Sequence, residues 1–191
     1  MKKDIILCGV GGQGILSIAT IIGEAATRAD INLKQAEVHG MSQRGGDVQS
    51  NLRLSTETIY SDLIPLGGAD VIISMEPMEA LRYLPYLSKD GVIVTSNKPF
   101  VNIPNYPDEK ALFDELASQP NVVQLDIEAV ASEAGSARSA NVVLLGMAAK
   151  YIEIVSADAL RTAVATIFAR KGEAVVEANL KAFDKGAEAS K

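Results

Sequence analysis

The stretch Asp4–Gly14, DIILCGVGGQG, decides the fold of this chain. Its apolar start predicts a buried strand, and the glycines after it predict a tight turn. Beyond the turn, apolar residues recur at helical spacing: Ile15, Ile18, Ala19, Ile22 and Ala26. A strand, a glycine turn and a helix in this order predict a phosphate site. Glycines let a ligand approach the backbone closely, and the first turn of the helix offers free N–H groups.

The turn satisfies the nucleotide-binding formula G-x-G-x-x-G through Gly9, Gly11 and Gly14, with Gly12 in addition. Four glycines in six residues are costly in conformational entropy unless a ligand must come close. A β-to-α turn that binds nothing is the alternative that the residues leave open. Ile15-Leu16 stands where a P-loop needs Lys and Ser or Thr, which argues against ATP or GTP hydrolysis of that type.

Composition narrows the class of protein. The chain has 191 residues, is 48% hydrophobic and 22% charged, and carries a net charge of −6, which predicts one soluble globular domain. Its Lys and Arg residues are scattered, so we expect no nucleic-acid partner. Asp4 and the glycines interrupt the apolar start of the chain, so we expect neither a signal peptide nor a membrane span.

The rare chemical side chains exclude several mechanisms. Cys8 is the only cysteine and His39 the only histidine. One cysteine within a predicted strand forms no disulfide framework, Cys₄ iron–sulfur site or cysteine zinc cluster, and this usage suits the cytoplasm. One histidine rules out a multi-histidine metal site. We therefore assign no catalytic or metal-ligating residue to this chain.

Strand and helix patterns alternate along the chain. The predicted strands are Ile5–Gly9, Leu33–Val38, Val48–Ser55, Val71–Met75, Val92–Ser96 and Val122–Asp126. The predicted helices are Gly12–Arg28, Met78–Leu87, Glu109–Ser118, Glu128–Ala134, Asn141–Ile152, Ala157–Arg170 and Glu173–Lys185. This order predicts an α/β, Rossmann-like fold with a mainly parallel sheet, helices on both faces and a C-terminal helical segment. We divide the single domain, residues 1–191, into a core (1–135) and a helical part (136–191).

Three segments depart from simple alternation. Val48–Ser55 follows a loop rather than a helix and alternates apolar and polar residues, which predicts an antiparallel or inserted edge strand. Asn97–Asp108 contains three prolines and is predicted to be a surface loop. Lys185–Lys191 is predicted to fray.

A second glycine-rich motif lies after the second predicted strand, in the residues His39-Gly40-Met41-Ser42-Gln43-Arg44-Gly45-Gly46. Arg44 has the planar fork that binds a phosphate or a carboxylate through two hydrogen bonds, although a solvated loop arginine explains the composition equally well. Glu37 lies 23 residues after Gly14, loosely where an NAD site places an acidic residue for the ribose.

Together, Gly9–Gly14 and His39–Gly46 resemble the gamma-type domain of 2-oxoacid:ferredoxin oxidoreductases. Within that family the chain is most similar to the small (beta) subunit of the indolepyruvate branch, because His39 and Met41–Gln43 depart from the tyrosine-containing motif of the pyruvate branch. Asp70–Glu76, the proline-containing loop and Asn141–Gly146 also follow the family. The resemblance covers essentially the whole chain.

The resemblance implies a subunit of a larger complex that decarboxylates a 2-oxoacid oxidatively to an acyl-CoA. It implies that a large (alpha) subunit holds thiamine diphosphate, Mg and iron–sulfur clusters, that ferredoxin accepts the electrons, and that the acyl group passes to coenzyme A. It also implies that the isolated small subunit is inactive and exposes an apolar patch, through which it can form a homodimer. The candidate ligand-binding residues are those of the two motifs: Gly9, Gly11, Gly12, Gln13, Gly14, Arg44, Gly45 and Gly46.

Three other functions remain open at this point. A free-standing NAD(P) or FAD enzyme is supported by Glu37 and opposed by the second motif. An adenylating enzyme of the ubiquitin-activating type also uses a Gly-x-Gly-Gly-x-Gly loop, although this chain lacks the zinc cysteines. The third hypothesis, which needs only the fold, is a structural or interaction module without catalytic activity.

Overall fold

A computed structural model describes residues 1–39 and 46–190 of the chain. These residues form six strands, namely β1 (Lys2–Val10), β2 (Asn32–His39), β3 (Asp47–Ser55), β4 (Ala69–Ser74), β5 (Leu87–Ser96) and β6 (Val122–Leu125). They also form seven α-helices, namely α1 (Ile15–Arg28), α2 (Pro77–Arg82), α3 (Glu109–Ser118), α4 (Ile127–Glu133), α5 (Ala140–Ile152), α6 (Ala157–Phe168) and α7 (Glu173–Ala189). The predicted α/β fold class is confirmed.

The strands form one sheet in the order β2-β3-β1-β4-β5-β6. β1, β4, β5 and β6 are parallel neighbours, and β3 runs antiparallel to both β1 and β2. The prediction that Val48–Ser55 is antiparallel is confirmed, but its placement at the sheet edge is wrong. β3 lies inside the sheet and β2 occupies the edge.

Helices cover both faces of the sheet. Ile5 and Leu7 of β1 pack into a core with α1, α4, α5, α6 and α7. Ile6 and Cys8, which point the other way, pack against residues of α2 and α3. Because β1 is buried on both sides, its sequence is a continuous apolar run rather than an alternating one.

Helices α5 and α7 pack with their backbones in close contact, which the sequence did not predict. An added Cβ at Gly146 in α5 would lie 2.2 Å from the carbonyl oxygen of Phe183 in α7, and one at Gly186 would lie 2.1 Å from that of Val143. Helix α7 continues to Ala189, so the prediction that the tail frays from Lys185 onward is wrong. Contacts with α5 hold this end, including a hydrogen bond from the Lys150 ammonium to the Ser190 carbonyl.

Two further boundaries differ from prediction. Helix α1 begins at Ile15 rather than Gly12, because Gly12 and Gly14 adopt positive φ angles that a helix does not use. Helix α2 ends at Arg82 and a short 3₁₀ turn follows, so Leu87 belongs to β5. Within the described ranges, no helix is long and apolar enough to cross a lipid bilayer.

Candidate functional site

The glycine loop, residues 9–14, leaves the sheet at the carboxyl end of β1. The chain crosses from β1 to the β2–β3 side and later returns to β4 on the other side. In open α/β sheets such a switch point creates a crevice where ligands bind. The loop therefore occupies the place that the fold class favours for a binding site.

Three residues of the glycine loop differ in their surroundings. Gly12 (φ +102°) is exposed, and an added Cβ there would meet nothing within 4 Å. Gly14 (φ +85°) is the N-cap of α1 and lies against Asn141, whose side-chain amide donates to the Gly14 carbonyl at 3.2 Å. The Gln13 side-chain oxygen accepts from the Val10 N–H at 2.7 Å. Gln13 thus stabilises the loop from within.

The loop contacts the end of the second sequence motif. The Gly11 N–H donates to the Gly46 carbonyl at 2.9 Å, and Val10 is paired with Asp47 across β1 and β3. The structure therefore brings the glycine loop together with Gly46, although the two motifs are separated by a helix and a strand. Arg44 and Gly45 lie outside the described residues.

A cavity of about 300 Å³ opens beside the glycine loop. It is lined by Val10, Gly11, Gly12, Gly14, Ile15, Leu16 and Val48. Among the described side chains, none caps the N-terminus of α1, because its N-cap is Gly14. The positive end of the helix dipole is therefore available to a negatively charged ligand.

A buried carboxylate beyond β4 was missed by the sequence reasoning. Glu76 is fully buried and caps α2 by accepting from the Glu79 N–H at 2.9 Å. Its other oxygen accepts from the Tyr106 hydroxyl and, at 3.3 Å, from the Phe100 N–H. Glu76 thereby holds the proline-containing loop at the carboxyl edge of the sheet. The local signal was a polar residue directly before Pro77, a residue type favoured in the first turn of a helix.

A second polar cluster lies under the glycine loop, on the α2 face. The Tyr83 hydroxyl donates to Asp47 at 2.7 Å. Burial and this hydrogen bond raise the pKa of Tyr83, and burial raises the pKa of Cys8. Burial likewise raises the pKa of Glu79, against the opposing effect of its ion pair with Arg82. Because its thiol is buried and its pKa raised, Cys8 is suited to packing rather than to nucleophilic chemistry.

The raised pKa values of Tyr83 and Cys8 predict a loss of stability at alkaline pH. The folded chain keeps the Tyr83 proton where the unfolded chain releases it, so the stabilisation is complete below about pH 10 and is lost as pH rises above it. We expect Tyr83→Phe to flatten the alkaline fall in the free energy of unfolding, measured by urea titration at several pH values. Tyr60→Phe is the matched control, since Tyr60 is 91% exposed. Equal slopes for Tyr83→Phe and the wild type would contradict this account.

The sheet and the helices on its two faces define a Rossmann-like α/β domain with a glycine turn at the carboxyl end of β1. The chain belongs to the pyruvate ferredoxin/flavodoxin oxidoreductase family, which matches residues 4–189. A relative from Archaeoglobus fulgidus, named indolepyruvate oxidoreductase subunit IorB, is 36% identical over 97% of this chain and 94% of its own length.

Two solved structures share the fold. The gamma subunit of a keto/oxoacid ferredoxin oxidoreductase from Geobacter sulfurreducens has a TM-score of 0.73 at 24% identity, covering 100% of this chain and 97% of that one. A 2-oxoglutarate:ferredoxin oxidoreductase from Magnetococcus marinus, solved with 2-oxoglutarate, coenzyme A and succinyl-CoA bound, has a TM-score of 0.76 at 25% identity. The alignment covers 99% of this chain but only 31% of that longer chain.

Proposed function

We propose that this chain is the small subunit of a ferredoxin-dependent complex that converts indolepyruvate, or a related arylpyruvate, to an arylacetyl-CoA. The full-length relative named for indolepyruvate supports the substrate class. The observation that carries a ligand role for this chain is the hydrogen bond from Gly11 to Gly46, which joins the two motifs of the family beside an uncapped helix end.

The chemistry requires groups that this chain does not supply by itself. The bond between the carboxylate and the 2-oxo carbon breaks and carbon dioxide leaves. The two electrons of that bond pass to ferredoxin, and the acyl carbon bonds to the sulfur of coenzyme A, whose thiol proton is released. Thiamine diphosphate with Mg supplies the electron sink, and iron–sulfur clusters carry the electrons. One buried cysteine is too few ligands for a cluster, so we assign these groups to a large subunit.

We propose that the glycine loop binds the phosphates of coenzyme A. The exposed backbone at Gly12 and the open N-terminus of α1 suit a phosphate, and the coenzyme A bound in the structural neighbour supports this ligand. The candidate residues Gly9, Gly11, Gly12, Gly14 and Gly46 lie at or beside this loop. Their role, and those of Gln13, Arg44 and Gly45, remain predictions. The alternative is that the loop only shapes the subunit interface.

The sheet order argues against a free-standing NAD(P) enzyme. In the usual dinucleotide fold, the strand that carries the ribose-binding acid lies next to β1. Here β3 lies between β1 and β2, so Glu37 is two strands away from β1, about 10 Å at the usual strand spacing. Its side chain accepts a hydrogen bond from Gln35.

Exposed apolar side chains support a protein partner. Tyr60 (91% exposed), Leu63 (60%) and Leu66 (70%) lie in the loop between β3 and β4. This loop is ordered by Arg53, which donates to the carbonyls of Ser61 and Leu63 at 3.0 Å each. A fixed loop that displays large apolar groups is typical of an interaction surface. We propose that the large subunit covers these side chains, and that the chain associates with itself when the large subunit is absent.

Two further predictions concern the location of the complex and the division of the chain. We propose that the complex lies in the cytoplasm. The division of the domain at residue 136 also stays a prediction.

Gly12→Ala tests the ligand role of the loop. A side chain at φ +102° costs roughly 1 kcal/mol of backbone strain and projects into the open space where we place the phosphate. We expect about a tenfold or larger rise in the apparent KM for coenzyme A in the assembled complex. Gly135→Ala is the matched control, because Gly135 also has a positive φ (+111°) and open space around it, and it lies between α4 and α5, away from the glycine loop and from the exposed apolar loop. If both variants keep the wild-type KM, the loop does not approach coenzyme A.

Arg44 is the expected charged contact. Arg44→Lys keeps the charge but loses the planar fork, so a two-hydrogen-bond contact weakens while the fold is preserved. We expect Arg44→Lys to raise the KM for coenzyme A several-fold and Arg44→Ala to raise it further, on the order of tenfold or more. Lys89→Ala serves as the control for loss of one positive charge. Identical acyl-CoA kinetics for all of these variants would make Arg44 a solvated loop residue.

A further inference from the structure

We propose that Asp47 and Glu79 share one proton, and that this acid pair positions Gly46 beside the glycine loop. Asp47 is the first residue of β3 and directly follows Gly46, whose carbonyl accepts from the Gly11 N–H at 2.9 Å. Glu79 lies in the first turn of α2 and is 2% exposed. A proton held between the two carboxyl groups therefore ties the end of the second motif to α2.

One oxygen of the Asp47 carboxyl group is buried without a hydrogen-bond donor. Asp47 Oδ2 accepts from the Tyr83 hydroxyl at 2.7 Å, whereas Oδ1 has no hydrogen-bond partner among the described residues. A buried polar atom that has lost its water and found no partner destabilises the fold. A donor is therefore expected at this oxygen.

Glu79 supplies this donor when it is protonated. Glu79 and Tyr83, the C-cap of α2, are one helical turn apart, so the hydrogen bond from Tyr83 brings Asp47 against the side of α2 that carries Glu79. Burial raises the pKa of the Glu79 carboxyl, the hydrogen-bonded ion pair with Arg82 opposes this rise, and the charge of Asp47 together with a hydrogen bond between the two carboxyl groups raises the pKa further. A protonated Glu79 donates to Asp47, whereas two ionised carboxylates repel each other.

The charges around the acid pair also favour a retained proton. The titratable groups that face it from the surrounding elements are Cys8 of β1, Glu76 before α2, Arg82 and Tyr83 at the end of α2, and Tyr106 of the proline-containing loop. Arg82 is the one cation among them, and its side chain is 49% exposed, so solvent screens its attraction for Glu79. The carboxyl groups of Asp47, Glu76 and Glu79 thus share one half-exposed cation, and one retained proton reduces this excess of negative charge.

The acid pair contacts β1 directly before the glycine loop. Val10 is paired with Asp47 across β1 and β3, and the Cys8 thiol donates to the Glu79 carbonyl at 3.6 Å. Loss of the shared proton leaves two like charges beside Gly46, and we expect this to weaken the hydrogen bond between Gly11 and Gly46. The consequence for coenzyme A rests on the proposed function.

Urea titration of the purified full chain between about pH 4.5 and 8 tests the shared proton. The unfolded chain releases the Glu79 proton near its ordinary pKa of about 4.3, whereas the folded chain keeps it to higher pH. The stabilisation is therefore complete below the unfolded pKa and is lost as pH rises through the folded pKa. Glu79→Gln keeps a donor at every pH, so we expect its urea midpoint to rise relative to that of the wild type as pH increases.

Glu109→Gln is the matched control for this titration, because Glu109 also lies in the first turn of its helix but is exposed. We expect its urea midpoint to stay at a constant distance from that of the wild type. A constant distance for Glu79→Gln as well overturns the proposal.

Hydrogen exchange at the Gly11 amide, followed by NMR on the same chain, tests the positioning. Glu79→Ala removes the donor, and we expect it to lower the protection of this amide about tenfold relative to the Ile72 amide of β4, which reports global unfolding. Glu79→Gln should restore the wild-type protection. Unchanged protection in Glu79→Ala, or an equal loss in both variants, overturns the positioning. Because the measurement needs neither coenzyme A nor a large subunit, its failure is distinct from failure of the proposed function, which Gly12→Ala tests.

Discussion

Gly186→Ala is expected to lower the free energy of unfolding by about 3 kcal/mol, the upper end of what overpacking costs. An alanine Cβ at this position would lie 2.1 Å from the Val143 carbonyl oxygen and 2.9 Å from the carbonyl carbon. These atoms belong to the backbone of α5, so no side chain can rotate away and the helices must separate. The sign is opposite to that of an exposed helix, where alanine is favoured over glycine by about 1 kcal/mol.

Urea titration of the isolated chain measures this effect. Gly146→Ala should behave similarly, because its Cβ would lie 2.2 Å from the Phe183 carbonyl oxygen. Gly23→Ala in α1 is the matched control, since its nearest contact would be the Leu33 methyl at 3.2 Å, which can shift. We expect Gly23→Ala to change stability by about 1 kcal/mol or less. Wild-type stability of Gly186→Ala would show that α5 and α7 do not pack as closely as described.

Local patterns in the sequence were sufficient for most elements. Apolar periodicity placed all six strands, and α3 matches its predicted bounds. Helices α6 and α7 begin at the predicted residues, Ala157 and Glu173, and the Ser156 side chain caps α6. These features depend on neighbours within a few residues, which is the range over which periodicity and capping carry information.

The position of β3 within the sheet could not be predicted from its neighbours in sequence. Its alternation predicted a polar face at an edge, but those polar residues bind a covering loop instead. Asn51 is 3% exposed and accepts from the Ile64 N–H at 3.1 Å, and Arg53 forms an ion pair with the fully buried Asp4. Alternation specifies which residues share a face of a strand, but it does not specify which strand or loop lies beside it.

In the candidate site, too, local sequence patterns were informative and contacts between distant residues were not predicted. The glycine loop was found from its own residues, whereas the Glu76–Tyr106 and Asp47–Tyr83 contacts join residues 30 and 36 positions apart. The close packing of α7 on α5 likewise depends on glycines in two separate helices. Lys185–Lys191 was predicted to fray because a polar, alanine-rich tail carries no local sign of such a partner.

The largest expected effect concerns activity, which we predict to be absent from this chain alone and present in the complex. Decarboxylation needs an electron sink, and onward transfer needs clusters, for which a single buried cysteine is insufficient. The sequence also lacks the Gly-Asp-Gly and Asn-Asn motif of a thiamine diphosphate site. We therefore expect the purified chain to be folded, colourless and inactive toward indolepyruvate.

Reconstitution tests whether this chain is inactive alone and required for activity in the complex. The purified chain, the purified large subunit and their mixture are each assayed for arylacetyl-CoA formation from indolepyruvate, with coenzyme A and ferredoxin or a redox dye present. We expect product at a substantial rate only in the mixture, with a rate that saturates as this chain is added to a fixed amount of the large subunit. Coenzyme A-dependent decarboxylation by this chain alone, or full activity of the large subunit without it, would contradict the account.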